Sequence, residues 1–237
     1  MRIGGASHVQ AVATRSTVSP HWYFGLMRNK ARDESSRGGV LPSWRMTERG
    51  RPHTIEEWLA QPDAKRLELI DGEFIEKALP DVPHALAQAG ALALMHPLFH
   101  RKPGGSGPGP GGWWILPEID LQLGANGYRP DLAGWRRERA PVPPPGRPVL
   151  LRPDWICELL SDSNRHNDTI RKLRRYHEAG VPHYWLLDLD TGTLKVFRHE
   201  TQGYLNVLIA ERGQRVRAEP FDALELSVGA LLGDDPE

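Results

Sequence analysis

Cysteine is nearly absent from this chain: Cys157 is the sole one in 237 residues. A single thiol excludes an intrachain disulfide, and no Cys/His cluster has the spacing of a structural zinc site, so the fold rests on an ordinary core and suits a reducing cytoplasm. Long apolar runs are missing too. None approaches the roughly 18 residues that span a bilayer, and Met1 to Ser19 has no apolar stretch between its arginines. A cytoplasmic protein with no membrane partner is therefore expected. Net charge is also lacking, with 30 Lys+Arg against 30 Asp+Glu. The balance hides an asymmetry, because residues 1–50 hold eight Lys+Arg and three Asp+Glu, which leaves 51–237 acidic by five charges. An acidic domain is a poor non-specific coat for nucleic acid, since that affinity scales with phosphates neutralised by Lys and Arg.

What is present reads as one loop-rich domain, 51–237, behind a basic extension, 1–50, that has no sustained periodicity and is expected to be disordered, with Met46 as an alternative start. Glycine and proline are abundant, at 24 and 21 residues. Thr54-Ile55-Glu56-Glu57 forms a capping box and starts a short helix to about Ala60. Arg66–Ile70 and Glu73–Lys77 flank Asp71-Gly72, a dipeptide that tolerates the positive φ angles of a two-residue hairpin turn. Pro83–Phe99 carries Ala and Leu on nearly every face, the pattern of a helix buried between other elements. Strands are expected at Trp113–Leu123, Pro130–Trp135 and Trp155–Leu160. A helix over Asn164–Ala179 ends at Gly180, and three further strands cover His183–Asp188, Leu194–Arg198 and Tyr204–Ile209. The order predicts a mixed α/β (α+β) domain with a central mixed β-sheet flanked by helices.

Two formal motifs fail on context. Gly107-Pro108-Gly109-Pro110-Gly111-Gly112 matches a dinucleotide fingerprint but follows a helix and precedes a strand, the reverse of what phosphate binding at a helix N-terminus needs. Gly104-Gly105-Ser106-Gly107-Pro108 lacks the final glycine of a nucleophile elbow, which disfavours a serine hydrolase.

The chemistry concentrates elsewhere. Paired carboxylates on adjacent strands, joined by a lysine, form an oxygen-ligand site that holds Mg²⁺ and activates water for phosphodiester hydrolysis. Asp131, Glu158 and Lys172 are the candidates. Glu158 interrupts the apolar strand Trp155–Leu160, where an isolated acid is costly without a partner, be it a cation, an arginine or backbone donors. It shares a strand face with Ile156 and Leu160, whereas Cys157 points the other way as a core residue. Lys172 has two readings: a catalytic cation, or one half of an i,i+4 surface pair with Asp168.

These residues carry a resemblance. Leu67-Glu68-Leu69-Ile70-Asp71-Gly72-Glu73, His84 at a helix start, Arg129-Pro130-Asp131, Cys157-Glu158-Leu159-Leu160-Ser161, Asp168 with Lys172 and Tyr176, and the run Glu178 to Asp188 resemble, in order, the Uma-two family of endonucleases. The resemblance spans roughly Thr54 to Leu232. It implies the restriction-endonuclease-like fold of the PD-(D/E)XK superfamily and a magnesium-dependent cleavage of DNA, with Mn²⁺ as a possible substitute. Asp131 is then the motif aspartate and Glu158 the following acid. The lysine usual two positions later is replaced by Leu160, and Lys172 of the next helix matches the position from which this family is thought to supply it. Asp162 also departs from the family pattern.

Glu73 and Glu118, with Glu68 beside them, are secondary candidates for a third metal-shell carboxylate, against the reading of exposed strand charges. His84, Arg171 and Arg175 are secondary candidates for contact with a nucleic-acid backbone; Arg174 lies among them. A DNA-cleaving enzyme and a nuclease-fold binding module without activity are the two functional readings. Cleavage of two antiparallel strands suits a homodimer.

Overall fold

The sequence marks its own first turns. In a computed structural model of the chain, which describes residues 50–161 and 165–235, the Thr54 side chain accepts from Glu57 N while Glu57 reaches back to Thr54 N, opening helix α1 (Ile55–Leu59). Strands β1 (Leu67–Ile70) and β2 (Glu73–Glu76) pair antiparallel about Asp71-Gly72. Those two residues take φ of 58° and 77°, the left-handed geometry of the expected hairpin turn.

Helix α2 (Val82–Phe99) buries one stripe, His84, Ala87, Ala91, Met95 and Phe99. The expectation of burial on nearly every face is corrected here: Val82 is 71% and Leu86 56% exposed. Alanine accounts for the discrepancy, since it gives a helix an apolar face at little cost in water and has the highest helix propensity.

Trp113–Leu123, expected as one strand, is two: β3 (Trp113–Pro117) and β4 (Leu121–Leu123) lie in different sheets. The break falls at Glu118, a non-glycine residue at φ 50°, a conformation that no ladder tolerates. A short strand β5 (Asn126–Tyr128) follows, then β6 (Leu132–Arg136) and β7 (Trp155–Leu160). The helical crossover has a π-helical stretch at Asn167–Lys172 that runs into α3 (Leu173–Glu178). It leads to β8 (His183–Asp188), β9 (Thr193–Glu200) and β10 (Gly203–Glu211), and the small β11 (Arg215–Val216), β12 (Leu226–Ser227) and α4 (Val228–Leu231) close the chain.

The central six-stranded sheet has the order β10-β9-β8-β7-β6-β3 and is mixed, with β7 and β8 parallel and the other pairs antiparallel. A parallel pair needs a crossover, and the segment before and through α3 supplies it. A second, antiparallel sheet runs β2-β1-β5-β4. On one face of the central sheet, Trp155, Cys157, Leu159 and Trp185 meet the buried stripe of α2 and residues of α4. On the other, Ile156, Leu160, Tyr184 and Leu186 pack with Tyr176 of α3 and with Ile70, Leu121 and Tyr128 of the smaller sheet. Cys157 is core, as expected. The described residues, from Gly50 on, belong to one compact unit. The expected extension, 1–50, lies outside the described residues apart from Gly50, as do Met46 and Asp162. Among the described residues, no helix is long and apolar enough to cross a membrane.

Candidate functional site

Register brings the two principal acids together. Leu132 pairs with Cys157 across the antiparallel β6/β7 ladder, so Asp131, one step before, faces Glu158 on the same side of the sheet. Asp131 N lies 3.3 Å from Glu158 Oε2, and Asp131 Oδ2 accepts from Leu159 N at 2.7 Å. The crossover packs over this face and supplies Lys172, whose ammonium is 3.1 Å from Glu158 Oε1. The same nitrogen is 2.9 Å from Asp168 Oδ1 and 2.9 Å from Glu68 Oε2 of β1. Tyr176 OH donates to Glu158 Oε1 at 2.9 Å. Asp131 Oδ1 in turn meets Lys77 Nζ at 2.7 Å and His84 Nε2 at 3.2 Å.

The centre is closed off from water. Glu68, Asp131, Glu158, Asp168, Lys77, Lys172 and His84 are all buried. Four carboxylates thus face two ammonium groups and an imidazole, an imbalance that burial makes costly. It shifts the acidity of the groups in the cluster. Burial, with the charges of Asp168 and Asp131, pushes Glu158 well above the usual carboxylate range despite Lys172. Asp168 is pushed up to about 6 by burial, with Glu68 adding and Lys172 opposing. Burial works against Asp131 as well, yet Lys77 and then His84 outweigh it and hold its carboxyl well below the usual range. Lys172 stays cationic because Asp168, Glu158 and Glu68 overcome its desolvation and raise it well above an ordinary lysine. Asp168 is incompletely satisfied: its contact with Lys172 lacks hydrogen-bond geometry, and neither carboxylate oxygen accepts a hydrogen bond.

Glu118 stands at the rim. Its left-handed backbone turns the carboxylate toward Lys77 Nζ, 3.4 Å away, and Arg66, 2.8 Å away. His84, Glu118 and Asp131 each offer a ligand atom within 4.8 Å of the others, a set able to hold a metal ion. Glu118 also lines a groove of about 480 Å³ with Arg66, Arg129 and Arg147, beside the buried centre.

The three principal candidates, Asp131, Glu158 and Lys172, therefore come together, and Glu118 and His84 join them on the Asp131 side. Lys172 and Asp168 are not the surface pair that their spacing also allowed. Glu73 does not join: it is exposed and pairs with Arg171 at 2.9 Å. Arg171 also donates to Ile70 O, Arg175 pairs with Asp71 at 2.5 Å and with Glu178, and Arg174 pairs with Glu178. These arginines fasten the helix to the hairpin turn or to itself. Lys77 was missed, and the sequence around it gives no signal, since it follows β2 in a stretch without apolar period. Glu68 carries the same signal as Glu158, a lone acid inside the apolar Leu67–Ile70.

Comparison with known proteins bears on the family and the fold. A family model, Uma2, described as "Putative restriction endonuclease", matches residues 53–229. The fold is similar to the crystal structure of "a putative nuclease belonging to DUF820" from Anabaena variabilis ATCC 29413, with a TM-score of 0.58 and 24% identity over 76% of this chain and 98% of that one. No curated protein matches the chain. With the family model covering well over half of its length, the chain belongs to the Uma2 family of restriction-endonuclease-like proteins.

Proposed function

We propose that the buried acid and lysine cluster is the hydrolytic centre of a metal-dependent endonuclease that cleaves DNA phosphodiester bonds with Mg²⁺, or Mn²⁺ in its place. One observation carries the reading: Glu68, Asp131, Glu158 and Asp168 converge, all buried, with too few cations to balance them. The donors are hard oxygens, which suit Mg²⁺, and the unsatisfied Asp168 carboxylate is a sign of missing positive charge. Asp131 and Glu158 would hold the ion, with Glu118 and His84 available on the Asp131 side. The Lys77 ammonium, lined by Asp131 Oδ1, Glu118 Oε1 and Arg129 O, stands in for a cation there. A bound divalent ion supplies Lewis-acid polarisation of the phosphate and lowers the pKa of an attacking water.

The chain's own groups do the rest. Leu159 N and His84 fix the two oxygens of Asp131, and Tyr176 orients Glu158. Lys172, kept protonated by three carboxylates, stabilises charge developing on the phosphate in a water-poor site, where such a charge is worth most. The groove at Glu118, whose carboxylate reaches Lys77 at the rim of the centre, is where a phosphate would approach. Two copies of the chain related by a two-fold axis would address both strands of a duplex, in the cytoplasm.

Nicking of supercoiled plasmid tests this. Wild type should nick with Mg²⁺ or Mn²⁺ and not with chelator, and Glu158→Gln and Lys172→Ala should both be inactive while remaining folded. Equal behaviour of all three proteins overturns the site and favours a binding module that keeps the nuclease fold.

A further inference from the structure

Most arginines of this domain are neutralised. Arg51, Arg66, Arg129, Arg139, Arg147 and Arg165 each pair with a carboxylate, as do those fastening the crossover. Arg152 and Arg217 bond backbone carbonyls, and Arg215 and Lys195 have no carboxylate partner among the described residues. One further group without such a partner is gathered in one place. Arg101, Lys102, Arg136 and Arg137 make no ion pair with any carboxylate among the described residues, and backbone contacts hold them together: Arg137 N donates to Gly112 O at 2.8 Å, and Gly112 N to Arg101 O at 2.7 Å. Glu138, in the same turn, is exposed and pairs with none of them.

The cations are also held in place. The Arg137 guanidinium lies 3.4 Å from the centroid of the Trp114 ring, and its Nε donates to Trp113 O at 3.0 Å. Arg136 sits 4.6 Å over Trp113, with which it pairs across the ladder, on the α2 face of the sheet. Trp114 and Arg137 lie on the face that carries the acid cluster, so the group wraps the end of the edge strand. The Arg101 guanidinium rests on Gly107, where a Cβ would overlap it. A stacked guanidinium keeps its donors fixed and directed outward, the form in which arginine recognises phosphate.

This group lies at the far end of the β3/β6 ribbon from the acid cluster. Asp131 precedes the first residue of β6 and Arg136 is its last, so five residues at about 3.3 Å each separate them by about 16 Å. That equals about five steps of a duplex at roughly 3.4 Å. Because β3 is the edge strand of the central sheet, nothing in the sheet lies beyond it. We infer that Arg101, Lys102, Arg136 and Arg137 form a second nucleic-acid surface that grips the substrate's phosphate backbone about five base pairs from the cleavage centre. The inference rests on the endonuclease reading for its substrate. It explains how a domain that is acidic overall can hold a polyanion: one unneutralised patch supplies the grip, and the acid cluster supplies the chemistry.

The test is binding of a fluorescent duplex of about 24 base pairs, with chelator present, across a salt series. Wild type should bind with a clear salt dependence. Arg136→Gln with Arg137→Gln should weaken binding by about tenfold or more and lower the slope of log K against log salt by about 1 to 2, one phosphate contact contributing about 0.9. Lys102→Glu, at an exposed position, should weaken binding severalfold even if the double variant folds poorly. Hydrolysis of the small diester bis(4-nitrophenyl) phosphate should be unchanged in all of them. If wild type binds and nicks DNA while these variants keep its affinity and slope, the patch is overturned and the endonuclease reading survives. If they lose binding but wild type never nicks, the patch stands and the endonuclease reading falls. Preference of wild type for phosphatidylglycerol vesicles over the duplex also overturns the patch.

Discussion

The Lys172 ammonium and Asp168 Oδ1 lie 2.9 Å apart, one helical turn from each other in sequence, and both residues are buried. On a surface such a pair contributes a few tenths of a kcal/mol. In the interior, removing one partner strands the other, at a cost of about 3–5 kcal/mol. Lys172 is shared by Asp168, Glu158 and Glu68, so Lys172→Met should lie at the upper end of that range in urea unfolding at pH 7. A loss below about 1 kcal/mol would show that the cluster relaxes or protonates freely.

Asp168 itself has the opposite sign. Its carboxyl titrates near 6 in the folded chain, above the roughly 3.9 of an unfolded aspartate. The native state therefore binds the proton more tightly, and this contribution to stability is complete below about pH 4 and lost as pH rises through about 6. At about 1.4 kcal/mol per unit, wild type should lose on the order of 2–3 kcal/mol relative to Asp168→Asn between pH 4 and pH 7. Parallel stability curves for the two proteins would contradict the shifted carboxyl.

Divalent ions should stabilise wild type and not Asp131→Asn. An ion at about 100 times its Kd adds about 2.7 kcal/mol to a protein that binds it only when folded. Lys77 provides a sharper test, because its ammonium fills the oxygen-lined position beside Asp131 and Glu118. Two unit charges about 4 Å apart interact by about 4 kcal/mol at an effective dielectric of 20. Lys77→Met should therefore tighten Mn²⁺ binding at least about tenfold by calorimetry, and unchanged or weaker binding would show that Lys77 supports the ion rather than displacing it.

How much of this was legible in the sequence depended on whether the signal was local. The capping box at Thr54, the Asp71-Gly72 turn and strand β7 came out as read, because propensity, turn chemistry and apolar period each act within a few residues. The break at Glu118 did not, since a strained left-handed residue is held by tertiary contacts, here to Lys77 and Arg66. Helix α2 misled for a related reason: Ala85, Ala89 and Ala93 read as buried, although only packing decides which alanines meet a neighbour. In the site, Glu158 was visible as an acid out of place in an apolar strand, and Asp131 as the acid after Pro130 that opens the neighbouring one. Lys77 joins from 54 residues away along the chain, and nothing in its own neighbourhood distinguishes it from a solvated lysine.

One glycine ties the smaller sheet to the site. Gly127 of β5 pairs with Leu69, next to Glu68, and a Cβ placed on it would come within 2.4 Å of the Trp58 ring. Trp58 has little room to retreat, being 5% exposed with its indole N–H donating to Leu67 O at 2.6 Å. Gly127→Ala should therefore cost about 1–3 kcal/mol by overpacking. Gly124, at φ 60° with open space around its Cβ position, should cost about 1–2 kcal/mol on substitution by alanine, from the left-handed backbone alone. The two differ in reach. Displacing Trp58 shifts β1, and with it the Glu68 carboxylate on Lys172, so Gly127→Ala should also depress plasmid nicking while Gly124→Ala leaves it near wild type. Equal activity in both, measured at a temperature where both are folded, would mean that Glu68 is not held through this contact.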